Sequence, residues 1–200
     1  MDPIGPELES TLRRFTELLT ERAVALGFVA ERDAARIWDR HVLDSMRVVP
    51  LIPPTAADAV DIGSGAGLPG IVVAAARPDL RTVLLESQRK RAAFLEYAAA
   101  ELSLSNAVVV HGRAENATVS ADVAFARAVG SASAVWRLAQ RLLRPGGALL
   151  YFAGRTWSPH EHGGLGHDAV AVAVAAPLLV PDQPTSVDVG PIVMISARDT

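Results

Sequence analysis

Ten residues, Asp61-Ile62-Gly63-Ser64-Gly65-Ala66-Gly67-Leu68-Pro69-Gly70, restrict what this chain can fold into more than any other stretch. The apolar run Ala59-Val60-Asp61-Ile62 reads as a short buried strand. Three glycines then stand at every second position, Gly63, Gly65 and Gly67, and Pro69 falls where a helix would begin. Glycine admits positive φ and leaves no Cβ in a ligand's way. Proline is tolerated at a helix start, where its missing N–H has no partner to lose. A strand, a glycine turn and a helix start together offer bare backbone and unpaired N–H groups to a nucleotide-like ligand.

The remainder of the chain bounds the context. Its 200 residues suffice for one domain with a real core, and half apolar with a fifth charged is an ordinary globular composition. No apolar run approaches the roughly 20 residues that span a bilayer, and the longest, Val170 to Val180, contains Pro177. The opening residues MDPIGPELES are acidic and carry prolines, unlike a signal peptide. With no cysteine there are no disulfides or thiolate metal sites, and a cytoplasmic setting is the expectation. The net charge of −3 and pI near 5.9 argue against a sequence-independent nucleic-acid binder while allowing a local basic face. Lys90 is the single lysine; the other basic residues are arginines.

Apolar positions at three- and four-residue spacing predict a helix over residues 7–27, ending at Gly27, and a second over 32–49, ended by Pro50, Pro53 and Pro54. Beyond them strand and helix alternate: strands at 59–62, 82–86, 107–110, 122–126 and 148–152, and helices at 69–76, 89–102 and 132–143. The last helix is expected to stop at a turn, Arg144-Pro145-Gly146-Gly147. Such alternation predicts a mostly parallel sheet with helices on both faces. Val170–Val180 and Pro191–Ala197 read as an antiparallel pair that closes it.

Two cofactors compete for the loop. Gly65, Gly67 and Gly70 satisfy the dinucleotide pattern GxGxxG. Asp61, Gly63, Gly65 and Gly67 satisfy the (D/E)xGxGxG pattern of class I methyltransferases. Both require an acid at the end of the second strand to bind ribose hydroxyls, and Glu86 stands there. Three observations favour S-adenosylmethionine. Gly63 intervenes between the strand and GxGxxG, and Asp61 sits inside the strand end. No Tyr-x-x-x-Lys pair exists, since Tyr97 precedes Glu101 and Tyr151 precedes Arg155 at that spacing. And 200 residues leave no room for a separate substrate domain.

The motifs then become specific. Trp38-Asp39-Arg40-His41-Val42-Leu43-Asp44-Ser45, Asp61 to Gly70, Arg77-Pro78, Leu84-Leu85-Glu86-Ser87, Lys90-Arg91, Phe94-Leu95, Gly112-Arg113-Ala114-Glu115 and Ala126-Arg127-Ala128 together resemble the RsmG (GidB) family. That family comprises bacterial small-subunit rRNA methyltransferases acting on guanine N7. The likeness covers roughly residues 35 to 152, and its most specific parts are the GLPG extension and the RHxLDS block.

The resemblance implies a class I AdoMet-dependent methyltransferase: a Rossmann-like α/β fold with a mostly parallel seven-stranded sheet and a C-terminal antiparallel hairpin. Residues 1–55 would form an N-terminal helical cap and 56–200 the AdoMet-binding core, within one compact domain. It also implies a cofactor site of Asp61, Gly63, Ser64, Gly65, Gly67, Leu68, Glu86, Ser87, Arg113, Ala114, Glu115 and Arg127. Within that site Gly63 and Leu68 would line the methionine and ribose side, Glu86 would hold the ribose, and Ala114 and Glu115 would meet the adenine. Arg127 would face the junction of cofactor and substrate, and His41 is the second catalytic candidate. Plain structural roles stand beside these: Glu115 as a turn cap, Arg40 and His41 as packing for the second helix, Asp39 and Asp44 as partners of nearby arginines.

Guanine N7 carries a lone pair and no proton, so methyl transfer to it needs positioning rather than a base. An amine acceptor would need one, and His41 is the candidate. Against the family pattern, Gly27-Phe28-Val29-Ala30-Glu31-Arg32 replaces an N-L-T-type segment, Ala153 replaces a lysine ahead of Gly154, and residues 156–164 read as a loop where a helix is usual. These changes fall on the substrate side. Two acceptors therefore stay open: 16S rRNA in the 30S subunit, met by Arg36, Arg40, Arg89, Lys90 and Arg91, or a small molecule of secondary metabolism. A non-catalytic AdoMet-binding partner protein is the third reading. His160, Glu161, His162 and His167 match no zinc spacing, so no metal is expected.

Overall fold

The computed structural model describes residues 4–154, 157, 165, 169–174 and 190–198. The seven strands are β1 (Asp58–Ile62), β2 (Arg81–Glu86), β3 (Ala107–His111), β4 (Ala121–Arg127), β5 (Leu143–Phe152), β6 (Ala169–Val174) and β7 (Ile192–Ala197). They form one sheet in the order β3-β2-β1-β4-β5-β7-β6. The first five run parallel, while β7 is antiparallel to both β5 and β6. The strand order reverses between β1 and β4, which opens a crevice at their C-terminal ends, where ligands bind in open α/β sheets.

Alternation along each strand sorts the two faces. Val60 and Ile62 of β1, with Ala124 and Ala126 of β4, pack against Val135, Trp136 and Ala139 of α5 (Ala132–Leu142). The other residues of the same strands, Ala59, Val123 and Phe125, face Val73 of α3 (Gly70–Ala76) and Val48 and Ile52 of the cap. By the same period of two, Asp61 and Arg127 are directed to the α3 and cap side.

α1 (Pro6–Leu18) buries Leu12, Phe15 and Leu18 completely, against Ile71 of α3, Leu84 of β2 and Leu95 of α4 (Arg89–Glu101). The cap and the sheet thus share one apolar core. The Arg13 guanidinium lies 3.7 Å over Trp38 and that of Arg22 lies 4.3 Å over Tyr97 of α4.

Three expectations from the sequence change. The first helix is shorter: beyond Leu18 it widens into a π turn over Leu19–Ala23, where Val24 N–H donates to Leu19 O at 3.0 Å. Thr16 and Thr20 hydroxyls donate to carbonyls four residues back, which bends helices. The second helix is not continuous. It is a 3₁₀ stretch (Glu31–Arg36), a π turn (Trp38–Val42), the short α2 (Leu43–Met46) and a 3₁₀ turn at Val49–Leu51. Arg127 of β4 donates to the Arg40 and His41 carbonyls of this segment. The turn expected at 144–147 is instead the start of β5, and α5 runs straight into it. A register shift between Ala121 and Val123 absorbs the irregularity, with Gly146 at φ +81°. Arg144 fixes it by bonding Asp122 and Asp58 at 2.7 and 2.6 Å. The second part of the strand expected at 170–180, and the segment 156–164 apart from Trp157, lie outside the described residues, as do Arg155, His160, Glu161, His162 and His167.

Ala128 has φ +56°, a left-handed conformation that favours glycine, directly after β4. Ala128→Gly is expected to raise unfolding free energy by about 0.5–1 kcal/mol by relieving this strain. Chemical denaturation checks it; a loss of stability would show that the backbone is relaxed there.

Candidate functional site

The loop from Gly63 to Pro69 is pinned by two buried carboxylates. Asp61 Oδ2 accepts the Gly70 N–H at 3.0 Å, tying the end of β1 to the first turn of α3. Glu86, at the end of β2, accepts the Gly65 N–H at 2.9 Å through Oε2 and the Gln88 N–H at 2.7 Å through Oε1. The Gly63 and Ser64 N–H groups donate to Leu85 O at 2.8 and 3.1 Å. The loop is therefore held to β2 as well as to its own strand.

The glycines have different tasks. Gly63, Gly65 and Gly67 have φ of +70°, +58° and +92°. A Cβ on Gly67 would lie 2.6 Å from Ile71 Cγ1, so Gly67 faces the helix. A Cβ on Gly70 would lie 2.5 Å from Asp61 Oδ2 and also strike Leu84. At Gly65 a Cβ would meet only Gly63 O, at 3.8 Å, and at Gly112 and Gly130 nothing within 4 Å. Open backbone thus faces outward at Gly65, beside Glu86, while Gly67 and Gly70 exist for packing. Ser64 is buried, and its Oγ donates to Asp61 O at 3.0 Å, so it serves the loop itself. Leu68 is half-buried against the cap cluster.

The adenine-side candidates follow β3. Gly112 N–H donates to Glu86 O at 2.9 Å and His111 Nε2 lies 3.2 Å from Ser87 O. These contacts bring the 3₁₀ turn Ala114–Asn116 beside the end of β2. Ala114 is half-buried against the α5-side core, whereas Ser87, Arg113 and Glu115 are exposed.

Arg127 ends β4, with its guanidinium turned to the cap. Nη1 donates to His41 O and Ser45 Oγ, both at 3.2 Å. Nη2 donates to Arg40 O at 3.1 Å and His41 Nδ1 at 3.0 Å, and pairs with Asp44 Oδ2 at 3.2 Å. Asp44 also holds Arg47 at 2.7 Å, and Arg47 donates to Gly190 O ahead of β7. Burial lowers the Arg127 pKa, with Asp44 opposing. Burial also pushes the His41 imidazole down to about 4, with Arg127 adding to that direction and Asp33 opposing.

Two neighbours escaped the sequence reading. Val129, 39% exposed, covers Gly63, whose Cβ would stand 3.0 Å from Val129 Cγ2. Ser45 is a direct partner of Arg127. No pattern marked Val129; its role follows from the turn at Ala128. Ser45 was visible only as part of the RHxLDS block. Among the described residues no cluster of three metal-ligating side chains exists, and no helix is long and apolar enough to cross a membrane.

A reversing parallel sheet closed by an antiparallel hairpin, with a glycine loop after β1 and an acid at the end of β2, defines the class I S-adenosylmethionine-dependent methyltransferase fold. The same fold is seen in the O-methyltransferase from Bacillus cereus in complex with SAH, which superimposes with a TM-score of 0.57 over 99% of this chain and 93% of that one, at 17% identity. The family model for rRNA small subunit methyltransferase G, GidB, matches residues 8–162, and the chain belongs to that family. Relatives named ribosomal RNA small subunit methyltransferase G are 43% identical in Acidiphilium cryptum, over 72% of this chain, and 43% identical in Mycobacterium leprae, over 75% of it. The matched stretch is 67% and 61% of those relatives' own lengths, so the chain spans about two thirds or less of them.

Burial raises the Asp61 pKa from 3.8 to about 7, against the Gly70 hydrogen bond and with a further push from Glu86. The raised folded pKa means that Asp61 favours the folded state fully below pH 3.8 and loses that contribution as pH rises through about 7. Unfolding free energy of the cofactor-free protein should therefore fall between about pH 5 and pH 8, by on the order of 2 kcal/mol from this group. Asp61→Asn keeps an oxygen for the Gly70 N–H and should remove that part of the slope. Equal slopes in wild type and variant, by urea denaturation, would rule the account out.

Proposed function

We propose that this chain is an AdoMet-dependent methyltransferase that methylates guanine N7 of 16S rRNA in the 30S subunit. The observation that carries the reading is the buried Glu86 carboxylate, tied to the Gly65 N–H beside backbone on which a Cβ would find space. A carboxylate accepts about four hydrogen bonds. Gly65, Gln88 and Ser87 supply donors to its two oxygens, with acceptor capacity remaining for ribose hydroxyls. Asp61 holds the loop closed, Gly63 and Leu68 line the methionine side, and Ala114, with Arg113 and Glu115, borders the adenine. The cofactor supplies an electrophilic methyl on a sulfonium. The protein's part is to hold that carbon in line with the acceptor's lone pair.

The distribution of charge supports an RNA acceptor over a small molecule. Eight arginines have carboxylate partners: Arg13, Arg14, Arg40, Arg47, Arg77, Arg81, Arg127 and Arg144. Arg40 is therefore committed to Asp33, and Arg91 lies 5.5 Å over Phe28. Arg32, Arg36, Arg89, Lys90 and Arg113 are exposed and make no ion pair among the described residues. They lie on the cap, the start of α4 and the turn after β3. Phe28 packs on Phe94 and His111 on Ser87, which brings these segments to one rim of the crevice. Glu31 and Glu115 on the same segments leave a net positive rim. Unpaired cations at the mouth suit phosphates.

Glu86→Ala should weaken AdoMet binding by about 10- to 100-fold in calorimetry, the cost of losing hydrogen bonds to a charged group. An unchanged affinity would remove the cofactor assignment. For the acceptor, radiolabelled methyl transfer to 30S subunits from a strain lacking the native enzyme decides. Arg89→Ala with Lys90→Ala should weaken subunit binding and lower the salt slope by roughly 1.5 to 2. AdoMet binding without transfer to the subunits would favour the small-molecule acceptor.

A further inference from the structure

We propose that His41 is a positioning residue for Arg127: its Nδ1 lone pair takes one guanidinium N–H and fixes that side chain at the C-terminal end of β4. This rests on the methyltransferase reading of the site and assigns His41 a role through Arg127 rather than toward the acceptor.

Strand alternation brings Arg127 to the cap side, but it does not set the direction of a long side chain. The cap does. The two Nη atoms carry four hydrogens, and five acceptor atoms surround them: Arg40 O, His41 O, His41 Nδ1, Asp44 Oδ2 and Ser45 Oγ. His41 contributes twice, by carbonyl and by ring. The π turn over Trp38–Val42 presents Arg40 O and His41 O to the guanidinium.

The protonation of the ring follows from its partner. A guanidinium has no acceptor, so the ring atom 3.0 Å from Arg127 Nη2 must be the acceptor, and the proton resides on Nε2. Nε2 is buried without a hydrogen-bond partner and faces Asp33 Oδ2 at 3.9 Å, the side on which a carboxylate favours a proton. The charged groups acting on the ring are Arg127 and Arg40, which oppose its protonation, and Asp33 and Asp44, which favour it; burial outweighs them. The imidazole is neutral at working pH and its one lone pair is already occupied. A ring in that state has no basic atom for an acceptor's proton, and guanine N7 has none to give.

Asn and Gln separate the two roles of a histidine. An Asn side-chain oxygen sits where Nδ1 does, two bonds from Cβ, whereas Gln carries its amide out to the Nε2 position. With wild type shown to methylate 30S subunits, His41→Asn should retain kcat within about 3-fold, and His41→Gln should lower it by about 10- to 100-fold, the loss of one hydrogen bond to a charged group. AdoMet affinity by calorimetry should stay within 2-fold in both. The pH profile of kcat/KM between about pH 5 and 8 should be the same in wild type and His41→Asn. Equal losses in Asn and Gln, no loss in either, or an ionisation that disappears in His41→Asn would each overturn the proposal. A readout independent of activity is the 15N spectrum of the wild-type imidazole: the Nε2–H tautomer, unchanged from pH 8 to 5, is expected. An Nδ1–H tautomer would overturn it even if both variants failed to fold. If wild type transfers no methyl to 30S subunits while the spectrum shows the Nε2–H tautomer, the acceptor assignment has failed and the positioning role stands.

Discussion

The hydrogen bond from the Gly70 N–H to the buried Asp61 carboxylate is the constraint on which the ligand-facing part of the molecule depends. A helix start leaves N–H groups without intrahelical partners, and α3 begins inside the protein. A carboxylate from the preceding strand answers one of them, and the chain between must turn back within eight residues. Positive φ at Gly63, Gly65 and Gly67 makes that reversal possible. Glu86 answers a second N–H, that of Gly65, from the neighbouring strand. The two acids have distinct tasks. Asp61 closes the loop from within and is shielded by α3, while Glu86 holds the loop's outer turn at the open edge.

The second fixed point is the joint between cap and sheet. Alternation along β4 places Phe125 in the apolar layer beneath the cap and Arg127 at its rim. Burying a guanidinium is costly unless every N–H finds an acceptor. The cap supplies those acceptors by departing from regular helix: a π turn, a short α turn and the side chains of Asp44 and Ser45. The irregularity of residues 31–51 is thus the counterpart of one buried arginine. Asp44 extends the joint through Arg47 to Gly190, so the cap is tied to the approach to β7 as well.

The sequence made the core strands and helices legible because apolar periodicity and glycine spacing act locally. β1, α3, β2 and α4 fall within a residue or so of expectation. The cap was legible as helix but not in form, because its distortion answers Arg127, more than 80 residues away. The strand at Leu143–Arg144 was hidden by Pro145-Gly146-Gly147, which reads as a turn. Its extended form depends on Arg144 meeting two acids from other strands. At the site, Gly63 and Glu86 could be placed from spacing alone. That Gly67 and Gly70 serve packing, that Ser64 turns inward and that Val129 covers Gly63 required the neighbours in three dimensions.

The titratable groups around the crevice share one property that bears on the chemistry. Asp61 is engaged by Gly70, Glu86 by Gly65 and Gln88, Arg127 by the cap, and His41 by Arg127. Each is committed to holding another part of the protein in place. Such a site suits an acceptor that brings its own lone pair and has no proton to shed, as guanine N7 does. On the rim, by contrast, Arg32, Arg36, Arg89, Lys90 and Arg113 are exposed and make no ion pair among the described residues. Gathering cations without ion pairs on one rim lets a chain of net charge −3 present a cationic face without a basic composition.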